Sequence, residues 1–224
     1  MSDAAAREVL VRKAARALGR HRLADAYGHC SARIDAGTFL VCAAKPMGMI
    51  GAGEAGTIVN VEGPLPDGVL GEVRTHQQIY RRRADVNGIA RAFGPNAMAL
   101  SAMGATPLAR HGMGAYFAPQ PPLWYDPQLL RSDEQASALA DQLGAAKAIV
   151  MRGNGAITAA ESLEAAVVLQ WYLDDAARIE LAVRAAGERE TAPVFSAEES
   201  TKRAVTAGGI YERMWAFMTA GDPE

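Results

Sequence analysis

Cysteine and histidine are scarce in this chain, with two and four residues respectively among 224. Cys30 and Cys42 are too few for a disulfide framework or a thiolate metal site, so reduced thiols are the expected state. Neither thiol, nor Ser31 beside them, has a base partner visible in the sequence, which argues against nucleophilic catalysis. Long apolar runs are missing too. No window of about 18 apolar residues exists, so no membrane span is expected. Charge of one sign is never concentrated: 23 basic and 25 acidic residues are interspersed, for a net charge of -2. That excludes the basic stripe of a nucleic-acid binder and the acidic run of an interaction tail. The first residues, MSDAAAREVLVRKAARALGRHRLA, are charged throughout and lack the apolar core of a signal peptide, so a cytoplasmic location is expected. Repeats and low-complexity tracts are absent.

What remains is ordinary globular material. Half the residues are hydrophobic and 21% are charged, enough for one domain over residues 1–224 with a full core, 188–224 forming a helical extension. Helical spacing of Val9, Leu10, Ala14, Leu18 and Leu23 predicts a first helix over 4–24, ended or interrupted at Gly19. Residues 28–34 and 38–42 alternate around Asp35-Ala36-Gly37 and predict a β-hairpin. A loop follows over 43–55, then a second hairpin-like unit built from 57–61 and the Pro-containing segment after Gly63. Helices at 72–83 and 95–103 flank a buried strand, 86–93. Ser132 and Ser162 stand where N-caps belong, opening helices at 132–143 and 162–186. Strands are predicted at 148–152 and 156–158, joined by Gly153-Asn154-Gly155, and a last helix at 197–219. Helices before, between and after the strands make this an α/β layered chain.

Five local patterns then recur in a telling order: GHCSAR (28–33), Glu72-x-x-x-His76, VNGIARAFGPNAMALSAMG (86–104), MRGNGAITAAESLEAAV (151–167) and YLDDAARIEL (172–181). Together they resemble the class II aldolase/adducin family, over roughly residues 5–187. The resemblance implies a three-layer domain, a mainly antiparallel mixed sheet between helices. It also implies a homo-oligomer, usually a cyclic tetramer with clefts at subunit boundaries. Members include metal-dependent sugar-phosphate aldolases, epimerases, aromatic-acid decarboxylases, an oxygenase and the non-catalytic adducin head.

The departure from the family pattern carries the functional expectation. Family enzymes bind a divalent metal with a His-x-His pair and a third histidine from a Gly-flanked turn. Here those positions fall on Arg91, Phe93 and Asn154. A guanidinium has no lone pair to give and stays protonated, and a benzyl group offers nothing. Loss of the family metal is therefore expected, with no cofactor in its place; a relocated site using His29, His76 and Glu72 is the alternative. Glu72 falls where aldolases keep the acid–base carboxylate. It either moves a proton or merely complements its helix dipole. Arg91 either anchors an anion or forms a structural ion pair with Glu72. His29 replaces the asparagine of phosphate-binding relatives, and Cys42-Ala43-Ala44-Lys45 lacks their Thr-Pro-x-Gly character, so an unphosphorylated small molecule is the expected substrate. Lys45 supplies one charge or stays solvated, and His29 moves a proton or caps its hairpin. His76, one helical turn from Glu72, backs the site. Glu72, Arg91 and His29 are thus the candidate catalytic residues, with Asn154, Lys45, His76, Ser31 and Phe93 around the substrate. Three readings follow: a metal-independent carbon–carbon lyase, of decarboxylase or retro-aldol type, for a small carboxylate or hydroxy-carbonyl compound; a non-catalytic adducin-like scaffold or ligand-binding protein, whose cleft would be plugged by Phe93 and neighbouring methionines; or a metal-dependent aldolase, decarboxylase or oxygenase with a relocated metal site.

Overall fold

A computed structural model describes residues 3–224. Among these residues, seven strands form one sheet: β1 (His29–Arg33), β2 (Thr38–Val41), β3 (Thr57–Asn60), β4 (Gly88–Ala92), β5 (Leu123–Trp124), β6 (Ala148–Met151) and β7 (Ala156–Ala160). Their spatial order is β3-β2-β1-β4-β7-β6-β5. Every neighbouring pair is antiparallel except β5 with β6. The mixed, mainly antiparallel α/β architecture expected from the sequence is therefore present.

Side-chain alternation sends the two faces of this sheet to different helices. Cys30, Ala32, Ala90, Ala92, Val150 and Ala156 point to one face, where α1 (Asp3–Arg20) and α5 (Leu163–Ala185) pack. Phe39, Val41, Ile89, Ile149, Met151 and Ile157 point to the other, covered by α2 (Arg74–Arg82) and α4 (Asp133–Leu143). The result is three layers. Helix α5 starts where expected because Ser162 accepts a hydrogen bond from the Ala165 amide, and Ser132 caps α4 the same way through Gln135. Asp174 of α5 accepts from the Asn96 and Ala97 amides, both at 2.9 Å. That carboxylate satisfies the free N–H groups of α3 (Pro95–Ala102) and pins the chain just after β4.

Two expectations need correction. β3 pairs with β2, not with the segment after Gly63; the second hairpin shares a strand with the first because β2 still had a free edge. The predicted helix 197–219 is two, α6 (Ala197–Arg203) and α7 (Ile210–Met218). Gly208 and Gly209 both take positive φ between them, which an α-helix cannot continue through. The first helix ends at Arg20, beside the Gly19 that marks its end in the sequence.

Glycine is required at Gly88 for space alone. A Cβ there would lie 2.2 Å from the Leu163 nitrogen and 2.4 Å from the Ser162 carbonyl carbon. These are backbone atoms of the α5 start and cannot swing aside. Gly88→Ala should therefore destabilise the fold by about 3 kcal/mol or more through overpacking, read as a lowered urea midpoint.

Candidate active site

The strand register builds the site. His29 on β1 lies directly opposite Arg91 on β4, both on the face toward α2. At the same end of these strands, the turn joining β6 to β7 brings up Asn154. The Gly155 that follows it has a φ of +75°, and a Cβ there would sit 2.2 Å from the Ala92 carbonyl. Only glycine lets the turn come so close to β4. Glu72 arrives from a 3₁₀ turn, Gly71–Val73, leading into α2. These side chains, with Lys45 and Phe93, line one open cleft of about 570 Å³. Six of the eight expected site residues therefore meet. The other two, Ser31 and His76, are buried behind His29.

Arg91 is 3% exposed. Its Nη2 donates to Asn154 Oδ1 at 3.1 Å, and its Cζ lies 4.4 Å from the centre of the Phe93 ring. Its Nε has no hydrogen-bond partner among the described residues. Desolvation lowers its pKa to about 10, opposed in part by the charge of Glu72, so it stays a cation at neutral pH. The expected structural ion pair with Glu72 does not form: Glu72 Oε1 instead accepts from Arg131 Nε at 3.3 Å. Arg131 comes from the loop before α4, too far away in sequence to be foreseen. Lys45 is paired with Glu54 at 2.7 Å. Arg91 is thus the lining cation with no carboxylate partner among the described residues.

His29 is 3% exposed and His76 fully buried. Their rings meet through His29 Nδ1 and His76 Nε2, 2.9 Å apart. His76 Nδ1 lies 2.7 Å from Ser31 Oγ, which in turn lies 3.0 Å from the Tyr80 hydroxyl. Both imidazoles are neutral. Burial holds the pKa of His76 down to about 3, helped by the charge of Arg91. Burial, then His76 and Arg91, pushes that of His29 well below its ordinary value.

A divalent metal does not fit this donor set. Arg91 and Phe93 supply no lone pair, and Asn154 Oδ1 already accepts from Arg91. The relocated site is not assembled either, because both ring nitrogens of His76 are engaged within the protein. Among the described residues no cluster of three histidine, cysteine, aspartate or glutamate side chains could hold a metal. Phe93 does not plug the cleft; it lies against Arg91, and Tyr27 meets its edge at 6.4 Å. Sequence reasoning missed the rim residues Tyr27, Leu70 and Leu129, all exposed apolar side chains. It also missed Tyr80, whose place one turn beyond His76 on α2 was the available signal.

With this geometry in view, comparison with known proteins is decisive on family. Residues 9–181 match the family model described as Class II Aldolase and Adducin N-terminal domain. The chain belongs to the class II aldolase and adducin family. Among relatives of this family, 3,4-dihydroxyphthalate decarboxylase of Arthrobacter keyseri is 29% identical over 208 residues, 84% of this chain and 82% of that protein. Among solved structures, L-fuculose-1-phosphate aldolase from Thermus thermophilus superposes with a TM-score of 0.72 at 25% identity, over 85% of this chain and all of that one. An aldolase II superfamily protein from Pseudomonas syringae gives a TM-score of 0.78 at 22% identity, over 97% and 92% of the two chains. Both share the fold of this class II aldolase family member. No helix among the described residues is long and apolar enough to cross a membrane.

The buried imidazoles make folding pH-dependent with a definite sign. In the unfolded chain His76 takes up a proton near pH 6.5, whereas in the folded chain it does so only near pH 3. Its contribution to stability is complete above pH 6.5 and is lost as the pH falls toward 3. From neutral pH down to pH 5 it should cost roughly 2 kcal/mol. His29 acts in the same direction. Denaturant midpoints at pH 7 and pH 5 should show this drop, and His76→Asn should flatten it.

Proposed function

We propose that this chain is a carbon–carbon lyase of the decarboxylase type that works without a resident metal. Its substrate on this reading is a small, unphosphorylated carboxylate. The observation that carries the reading is Arg91: a buried cation whose one hydrogen-bonded partner among the described residues is an amide, with an unpartnered Nε, lining an open cleft. A buried charge left in this state is costly, and a carboxylate bound in the cleft would pair with the guanidinium through a charge-assisted hydrogen bond. The weak Cys42–Lys45 loop, with Lys45 already paired to Glu54, argues against a phosphate.

Cleavage next to a carboxylate needs a place for the electron pair left on carbon. Arg91 is no Lewis acid, so the substrate must take that pair itself: a β-keto group takes it as an enolate, and an electron-rich aromatic ring takes it back into its π system once it has been protonated at the carbon bearing the carboxylate. The ring is favoured. Phe93, Tyr27, Leu70 and Leu129 give the cleft flat apolar walls, and the decarboxylase relative acts on a dihydroxylated aromatic diacid by its name. Arg91 would hold a carboxylate, and Asn154 would hydrogen-bond a neighbouring oxygen. His29, neutral at rest, would first take up a proton from solvent and then pass it to the ring carbon as the carbon–carbon bond breaks and carbon dioxide leaves. Glu72, held by Arg131, would orient a ring hydroxyl or share the proton transfer. The open cleft supports this over a scaffold role, and the exposed apolar rim supports a homo-oligomer whose second copy covers the mouth.

Chelator-treated protein should release carbon dioxide from hydroxylated aromatic acids, and Arg91→Met should lower kcat/KM by about 10²-fold. Turnover that vanishes on chelation and returns with zinc or manganese would overturn the metal-free reading.

A further inference from the structure

The hydrogen bonds behind His29 fix where its protons sit. Four contacts run in series: Tyr80 hydroxyl to the Ser31 carbonyl at 3.1 Å, Ser31 Oγ to the Tyr80 oxygen at 3.0 Å, His76 Nδ1 to Ser31 Oγ at 2.7 Å, and His29 Nδ1 to His76 Nε2 at 2.9 Å. A carbonyl oxygen can only accept, so Tyr80 must spend its one proton there. Burial raises the Tyr80 pKa, which keeps that proton in place. The Tyr80 oxygen can then only accept from Ser31. Ser31, its proton used, must accept from His76 Nδ1–H. His76 Nε2 is left with a lone pair, which accepts from His29 Nδ1–H. No other assignment gives every contact one proton.

We propose that Tyr80, Ser31 and His76 are positioning residues that hold His29 in its Nδ1–H tautomer, with the Nε2 lone pair turned to the cleft. His29 Nε2 has no partner among the described residues, and His29 lines the cleft. The consequence for chemistry is direct. A neutral histidine protonated at Nε2 could give up that proton only by leaving an imidazolate. A histidine with a free Nε2 takes one proton to become imidazolium and hands the same proton on, returning to its starting tautomer. The backbone carbonyl of Ser31 anchors the series, so the assignment does not depend on a mobile group. Tyr80 is itself held by the Arg33 guanidinium, 4.5 Å over its ring, and by Phe39, with ring centroids 4.9 Å apart.

The catalytic consequence rests on the proposed lyase reading; the tautomer assignment does not, and it is tested without substrate. With four histidines in the chain, two-bond proton–nitrogen NMR correlations of ¹⁵N-labelled protein at pH 7 can assign every ring. His29 and His76 should both carry their proton on Nδ1. In Tyr80→Phe the Ser31 hydroxyl loses its acceptor and turns to donate to His76 Nδ1, so both rings should switch to the Nε2–H form. Turnover of a carboxylate that the wild-type enzyme decarboxylates should then fall by about 10²-fold in kcat with little change in KM. An Nε2–H form of His29 in the wild-type protein overturns the proposal, as do unchanged tautomers in a folded Tyr80→Phe protein. If that variant does not fold, the wild-type spectrum alone decides. Switched rings in a protein that decarboxylates nothing would leave the relay standing and remove the lyase reading.

Discussion

A guanidinium buried against one amide and one benzene ring governs everything in this cleft. Taking a cation out of water is expensive, and Arg91 recovers only a neutral hydrogen bond from Asn154 and the face of Phe93. The same loss of solvent strengthens its pull on any anion that enters, because little water remains to screen it. The fold is built to hold this arrangement. β4 runs through the middle of the sheet, pressed at one end against the start of α5 through Gly88 and tied at the other by the Asp174 cap on α3. Gln170 from α5 donates to the Ala90 and Ala156 carbonyls, fastening β4 and β7 on either side of Arg91. The motifs that look unrelated along the chain are the parts that fix one side chain.

Signals in the sequence are legible where the physics is local. Ser132 and Ser162 cap their helices because a short hydroxyl beside a free amide needs no tertiary help. The β1–β2 hairpin follows from alternation and a tight turn. The pairing of β3 was missed because register between strands is set by which edge remains free, a global property. The break before α7 rests on the Gly208-Gly209 pair, whose positive φ overrides the apolar spacing around it.

The candidate site was legible as a set and illegible as a network. Strand ends and Gly-flanked turns place Arg91, Asn154 and Glu72 at one end of the sheet, and the family pattern points to the same positions. Which charge pairs with which depends on side-chain reach, and Arg131, 59 positions from Glu72, takes the partner expected for Arg91. The contact between His29 and His76 spans 47 positions. Helical spacing could put His76 and Tyr80 on one face, yet nothing in the spacing says that β1 lies beneath them.

The strand register also explains why a histidine, rather than a carboxylate, suits the position facing Arg91. An aspartate opposite Arg91 would form a buried ion pair with it, neutralising the cation and occupying its free donor before any ligand arrived. A neutral imidazole leaves the guanidinium available and remains able to take a proton. The field of Arg91 is one of the three causes that hold His29 unprotonated. An anion settling on Arg91 cancels much of that field, so binding the anion makes His29 more basic, and protonating His29 strengthens the hold on the anion. That coupling is reciprocal by thermodynamic necessity. On the proposed reading, an anion on Arg91 therefore offsets the last of the three causes, after burial and His76, and raises the basicity of His29 without removing the larger two.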